Sequence, residues 1–474
     1  MATRSSDFKL RISHFTLLLS LLLSQALSDV SHAALRGGCA KIDITPPLGL
    51  LLIGSKGQPS DALRDPLFAK AMVLCDGTIT VAVVSADLLY TPMEEIAGPV
   101  RTLVGEKTGI PRENIMVCAT HTHSGPEVFT RAKVPDEGRM PAEQIDRSYL
   151  QVLVRKMADA AVLAHRNMQD VRIGAAFGSL AEVSFNRRLI TEAGQAQMAF
   201  TLPEPVVATR KVERDREGRT RATFTLPPEQ APREFGPIDP TVLAFRMEDM
   251  EGRLLGSLIG FGCHPVCIYP HLSTTISADY PAHATRVVEQ VEGGTSLFLL
   301  GLAGNVVPLR RDVRPCEQMG KAVGGEALKR LQTVVATEDV SLQAATREVT
   351  LALRPPASPV AAEAAPKPDR ITTEIQVLRL GDTYLVGLPG EVLVEVGSSI
   401  KDRAGLDKLF IVTLANDAIG YVCHRRAYEQ GGYEPVGGSD LASGAGETLA
   451  DQALSLLAEM KSSTVGVPTT APGQ

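Results

Sequence analysis

The sequence predicts an α/β fold in which mixed β-sheets pack with helices in a layered sandwich. Three observations predict it. Short runs rich in Val, Ala and Leu recur along the chain and are split by turn dipeptides such as Asp76-Gly77, Glu251-Gly252 and Gly381-Asp382, the mark of hairpins. Longer stretches with apolar residues at helical spacing alternate with them. The 474 residues are 44% hydrophobic and 22% charged, which excludes a disordered chain, a collagen and a coiled-coil rod. At roughly 150 residues per domain the length fits three domain equivalents, or one large α/β domain with long loops.

The first 33 residues read as an export signal. Arg4, Lys9 and Arg11 form a positive start, Phe15 to Leu27 is apolar with interspersed serines, and Ser31 and Ala33 are small residues before a cleavage point. A permanent membrane anchor is the alternative, but the apolar run is short of the ~20 residues a span needs. The expectation is a secreted or periplasmic protein without a stable transmembrane anchor.

The remaining elements follow in order. Strands are expected at Phe68 to Cys75 and Ile79 to Ala86, a helix from Met93 to Thr108, and a buried strand from Asn114 to Ala119. Leu150, Leu153, Met157, Ala161 and Ala164 put a helix over Tyr149 to His165. Strands follow at Val171 to Phe177, Thr241 to Arg246 and Leu254 to Gly260, then a helix from Tyr280 to Glu292 and a strand from Ser296 to Leu302. The C-terminal part reads as a helix (Cys316 to Thr333), strands (Ile371 to Leu380, Tyr384 to Gly387), a helix (Val392 to Asp402), a strand (Leu409 to Leu414) and a final amphipathic helix (Glu447 to Lys461). Residues 203–236 are Pro-rich and charged and read as a long surface excursion. Residues 354–369 read as an extended linker or loop, and 463–474 as a disordered tail. No internal repeat is visible. One domain is therefore expected over 34–462.

Several chemistries are excluded. There is no phosphate loop, dinucleotide fingerprint, nucleophile elbow or HExxH helix. Net charge is −6, Trp is absent and aromatics are 4%, so neither a basic footprint nor a stacking platform points to nucleic acid. Seven cysteines follow the leader: Cys39, Cys75, Cys118, Cys263, Cys267, Cys316 and Cys423. The number is odd, so at least one is free or pairs outside the chain. Cys263 and Cys267 read as buried small residues or one disulfide.

What remains is a histidine constellation at strand ends, where α/β proteins place their sites. His121 and His123 in Thr120-His121-Thr122-His123-Ser124-Gly125-Pro126 follow a strand, and in extended backbone they would face one space. This reads as a metal pair or as two hydrogen-bonded core histidines. His264-Pro265 follows a second strand, and Pro389-Gly390-Glu391 a third, where the glutamate could equally serve a helix dipole. Tyr421, Tyr433 and Glu434 lie in a fourth such region.

In this order, with Asn186-Arg187 between the first two blocks, these motifs resemble the neutral/alkaline non-lysosomal ceramidases, a family of zinc amidohydrolases acting on N-acylsphingosine. The opening Ala40-Lys41-Ile42-Asp43-Ile44-Thr45-Pro46-Pro47 is also similar, and the likeness runs from about Gly38 to Met460. The resemblance implies one zinc held by His121, His264, Glu391 and Tyr421, leaving a place for water. From the residues alone both His121 and His123 would be ligands. The family likeness instead sets His123 beside the metal, hydrogen-bonded to the reacting group. It puts Arg187 at the substrate carbonyl or oxyanion, and Tyr433 near the scissile bond. Asn186 and Val307 would contact substrate.

Two departures stand out. Gly304-Asn305-Val306-Val307-Pro308-Leu309 matches the family's Gly-Asp-Val-Ser-Pro-Asn, so Val307 replaces a site serine and Asn305 an aspartate. The family's C-terminal immunoglobulin-like domain is not expected here. The resemblance therefore implies a kept metal site and an altered substrate wall. The expected function is a zinc-dependent amidohydrolase taking a lipid or small-molecule substrate. The alternatives are a zinc hydrolase of another small amide or ester, and a non-catalytic ligand-binding member of the fold. Nothing in the sequence speaks to oligomeric state. Asp87 reads as a structural hydrogen-bonding residue, Asp279 as a helix cap or an orienting partner, His165 as a helix-end partner, and His424 in a basic loop.

Overall fold

The computed structural model describes residues 34–55, 57–128, 146–227, 233–355 and 368–465. The expected leader, most of the 354–369 segment and the tail from 466 onward lie outside them.

Three sheets carry the fold, and all three are wound alike. In the first, β1 (Arg36–Asp43) pairs antiparallel with β2 (Phe68–Cys75), which turns through a hairpin into β3 (Thr80–Ala86). The chain then crosses through helix α1 (Gly98–Thr108) and returns as β4 (Ile115–Ala119), parallel to β3. Helix α2 (Arg147–Arg166) lies on β1 and β2. It starts two residues before the expected Tyr149, because Asp146 accepts the Tyr149 amide at 2.9 Å and satisfies a free helix-end donor.

The second sheet repeats the plan. β5 (Arg172–Ser179) and β6 (Thr241–Glu248) are antiparallel, and β6 makes a hairpin with β7 (Leu254–Phe261). Helix α3 (Asp279–Glu292) leads to β8 (Thr295–Leu300), parallel to β7, and α4 (Val313–Leu331) packs on α3 and β6. The third sheet does so again. β9 (Leu342–Ala352), β10 (Arg370–Leu380) and β11 (Thr383–Leu388) are successive antiparallel neighbours. Helix α5 (Val394–Ala404) precedes β12 (Leu409–Thr413), parallel to β11, and α6 (Ala445–Val465) covers α5, β9 and β10. The sequence shows no repeat because the repetition is one of topology. The three hairpin glycines, Gly77, Gly252 and Gly381, share positive φ (86°, 84° and 66°).

One face of every sheet meets the others in a shared core. Met72, Val83 and Met116 come from the first sheet, Phe245, Leu258 and Leu299 from the second, and Leu378, Phe410 and Val412 from the third. Hydrogen bonds join the units: Ser85 Oγ donates to the Phe298 carbonyl, Thr413 Oγ1 to that of Gly301, and the Asn416 amide N–H to that of Val117. The carboxyl ends of the three parallel pairs therefore open toward common ground.

Residues 203–236, expected as a long surface excursion, carry short strands among their described residues. They include an antiparallel pair, Lys211–Arg214 with Thr220–Thr223, and a strand, Arg233–Phe235, paired with Arg188–Thr191. The rings of Phe224 and Phe235 pack in series against Phe185, with centroids 5.0 and 5.8 Å apart, and apolar residues within the charged stretch hold it to the body. Among the described residues no helix is long and apolar enough to cross a membrane.

Phe245 is fully buried in the shared core. Phe245→Ala should lower the unfolding free energy by about 3–5 kcal/mol, read from urea denaturation. A loss below about 1 kcal/mol would mean that the three faces are not one cooperative core.

Candidate metal centre

His121 follows β4, but not on extended backbone: its φ is 71°, so the alternation expected for His121 and His123 does not run through this segment. The kink is held by the His121 amide donating to the Leu88 carbonyl and by Thr122 Oγ1 donating to that of Ser277 at 2.6 Å. Both rings still reach the same place, with centroids 4.9 Å apart.

His121 Nδ1 donates to the Leu89 carbonyl at 3.0 Å. His264, after β7, points its Nδ1 at the carbonyls of Ala303 (2.6 Å) and Val306 (3.2 Å). A neutral imidazole that donates from Nδ1 carries a bare Nε2. Both Nε2 atoms face Glu391 Oε2, at 3.2 Å from His121 and 3.0 Å from His264. Burial, then the charge of Arg187, pull His264 down to about 4. Burial opposes ionisation of Glu391, but His121 and His264 hold it well below the usual carboxylate range. Where both nitrogens are unprotonated they face the carboxylate oxygen across a buried gap, an arrangement that a cation between them would stabilise.

Tyr421 extends the donor set. Its hydroxyl lies 3.3 Å from His264 Nε2 and accepts from Arg187 Nη2 at 3.0 Å. Glu391 and Tyr421 are direct partners in a two-residue parallel ladder. Gly390 makes that approach feasible: its φ is 132°, and a Cβ there would sit 2.6 Å from the Gly420 carbonyl oxygen. Burial pushes the Tyr421 phenol well above its usual range, while Arg187 pulls the other way. These oxygen and nitrogen donors fit zinc's tastes except for the phenol.

His123 is half-buried at the same centre, and its ring nitrogen lies within 4.8 Å of those of His121 and His264. Arg187 is held from below: Nε donates to Glu434 at 2.8 Å and Nη2 also reaches the Gly304 carbonyl at 3.0 Å. With these donors committed, Arg187 supports Tyr421. Tyr433 is 47% exposed, its ring 5.7 Å from that of Tyr421, at the mouth of the site.

Two expected substrate contacts are placed otherwise. Asn186 is fully buried; its amide donates to the Pro237 carbonyl and accepts from the Arg188 N–H, so it shapes the Arg187 loop. Val307 pairs with Phe185 and is buried in the apolar core, where a branched aliphatic side chain offers no ligand surface. Asn305 caps α5 by accepting the Val394 amide at 3.0 Å.

Sequence reasoning missed Tyr90 and gave Glu434, named in the Tyr433-Glu434 block, no role of its own. Tyr90 donates to Glu391 Oε1 at 2.5 Å, and its signal was its position just past β3. Glu434 bridges Arg187 and Arg188; two adjacent buried arginines ask for such an acid. Asp279 is a cap that also accepts the Ile268 amide at 2.9 Å and so ties α3 to the chain after His264. His283 lies apart, beside Asp65. His424 lies near Glu395, 3.9 Å away. All seven cysteines are free thiols.

Asp87 accepts the Phe68 amide and the Thr120 hydroxyl, and burial drives its carboxyl up to about 6. A carboxyl raised above its unfolded value favours folding while protonated; that contribution is full below pH 3.8 and is lost as the pH rises through about 6. Asp87→Asn should flatten the pH profile of unfolding free energy across this window, by about 3 kcal/mol end to end. An unchanged slope would exclude Asp87 as its source. Gly390→Ala should cost about 1–3 kcal/mol of stability by denaturant titration, and a neutral result would show that the Gly420 carbonyl can move aside.

Comparisons place this geometry among known proteins. A family model described as neutral/alkaline non-lysosomal ceramidase, N-terminal, matches residues 36–299. A neutral ceramidase from Pseudomonas aeruginosa is 20% identical with a TM-score of 0.71, covering 93% of this chain and 76% of its own. A ceramidase complexed with C2 is 19% identical with a TM-score of 0.69, covering 93% and 77%. These two likenesses show a common fold, and the family model spans more than half of the chain: the protein belongs to the neutral/alkaline non-lysosomal ceramidase family.

Proposed function

We propose that this protein is an exported zinc-dependent hydrolase that cleaves the amide bond of an N-acyl sphingolipid or a related compound. One observation carries the reading: two imidazoles, each with Nδ1 committed to main-chain carbonyls, aim Nε2 at one oxygen of Glu391. His121, His264, Glu391 and Tyr421 would hold one zinc ion. Bound there, zinc supplies Lewis acidity and makes water acidic enough to yield a nucleophile near neutral pH.

The chain's own residues do the rest. The carbonyls of Leu89 and Ala303 fix the two imidazole tautomers, and Tyr90 steadies the carboxylate. The Arg187 charge beside the Tyr421 oxygen works against the burial that keeps the phenol protonated. His123, half-buried beside the donor set, is placed to hydrogen-bond the reacting carbonyl or pass a proton to the leaving amine. Tyr433 lines the mouth. The N-terminal leader supports export.

Val307 favours a second reading, a hydrolase of another small amide or ester. No hydroxyl stands where the family pattern has serine, and the valine is packed into the core.

Metal analysis of the purified protein should find about one zinc per chain, lost in His264→Ala together with at least about a hundredfold of kcat/KM. No zinc in the wild type, even after reconstitution, would sink the proposal. Turnover of a short-chain ceramide beside a water-soluble N-acyl amine decides between the two substrate readings.

A further inference from the structure

Among the described residues, Arg311 is a large charged side chain near the centre with no part in the zinc-donor network. It is only 8% exposed, and Nε, Nη1 and Nη2 are all buried without a hydrogen-bond partner. Such a group is costly, and an unsatisfied buried donor calls for an explanation. Its guanidinium lies over the Phe200 ring, 3.1 Å from the centroid. That contact uses the face of the guanidinium and leaves its in-plane N–H fork unanswered.

Among the described residues no protein anion answers it. Arg187 and Arg188 share Glu434. Asp279, the acid whose field reaches Arg311, already accepts the amides of Ile268 and Tyr280. The neighbouring thiols of Cys263 and Cys267 stay neutral, because burial pushes both well above their usual range. Burial accordingly pulls Arg311 down to about 10.

The position matters as much as the charge. The Asp312 amide donates to the Cys267 carbonyl, which ties this segment to the chain leaving His264. The Ala199 amide donates to the Arg187 carbonyl, which brings Phe200 beside the Arg187 loop. Arg311 therefore stands in the wall between the His264 and Arg187 segments. Resting on the hydrolase reading above, we propose that Arg311 receives an anionic oxyacid group of the substrate, a carboxylate, sulfonate or phosphate, so that the compound cleaved here is an acidic N-acyl amide. The guanidinium fork matches two oxygens of such a group, and the Phe200 ring holds the fork in plane.

The test uses the full-length mature protein, wild type beside Arg311→Met and Arg311→Lys. Sodium sulfate and N-lauroylglycine should each raise the thermal midpoint of the wild type, and N-lauroylethanolamine, the uncharged counterpart, should not. Arg311→Met, relieved of an unpaired buried charge, should melt no lower than the wild type without ligand and lose both shifts; Arg311→Lys should keep part of them. In turnover the wild type should prefer N-lauroylglycine by about tenfold or more in kcat/KM, and Arg311→Met should abolish that preference while retaining the rate on N-lauroylethanolamine. Equal shifts in wild type and Arg311→Met, or no preference for the acidic amide in a wild type that hydrolyses both, overturn the proposal. If neither amide is hydrolysed but the Arg311-dependent shifts persist, the hydrolase reading falls and the anion site stands.

Discussion

The structure depends on one buried convergence: the Nε2 atoms of His121 and His264 each lie within 3.2 Å of the same Glu391 oxygen. Each group is fixed from behind, by main-chain carbonyls for the histidines and by Tyr90 for the glutamate. None can swing away without abandoning a buried hydrogen bond. The surrounding network reads as support for this arrangement. Glu434 holds Arg187, Arg187 reaches Tyr421, and Asn186 holds the loop that carries Arg187.

The three-unit architecture explains why such an arrangement is available. Each unit ends its parallel strand pair at the same place, and hydrogen bonds between units keep those ends in register. A packed apolar core behind them gives the loops a rigid floor. Backbone strain collects on this rim, with positive φ at His121, Asp279, Leu414 and Asn416. Such conformations persist where the surroundings over-determine them.

Much of the fold was legible in the sequence, because strands and helices here obey strong local patterns. The hairpin glycines mark boundaries by conformational preference alone. The histidine, glutamate and tyrosine blocks were legible as strand-end motifs. The geometry of His121 was not, since nothing local to Thr120-His121-Thr122 announces a positive φ imposed by Leu88 and Ser277. Tyr90 and the role of Glu434 were obscured for a related reason: their partners are hundreds of residues away in sequence. Within residues 203–236 the charge and prolines hide the few aromatic residues that pack. Val307 is conspicuous as a departure in a motif, yet only its burial shows that it belongs to the core.

The donor atoms come one set from each unit: His121 from the first, His264 from the second, Glu391 and Tyr421 from the third. No unit by itself owns a binding site. The centre can exist only once all three sheets have docked, so an ion captured there would report completed assembly and would add its binding free energy to the native state alone. An ion held there would thereby favour the fully docked chain over one in which a unit is out of place.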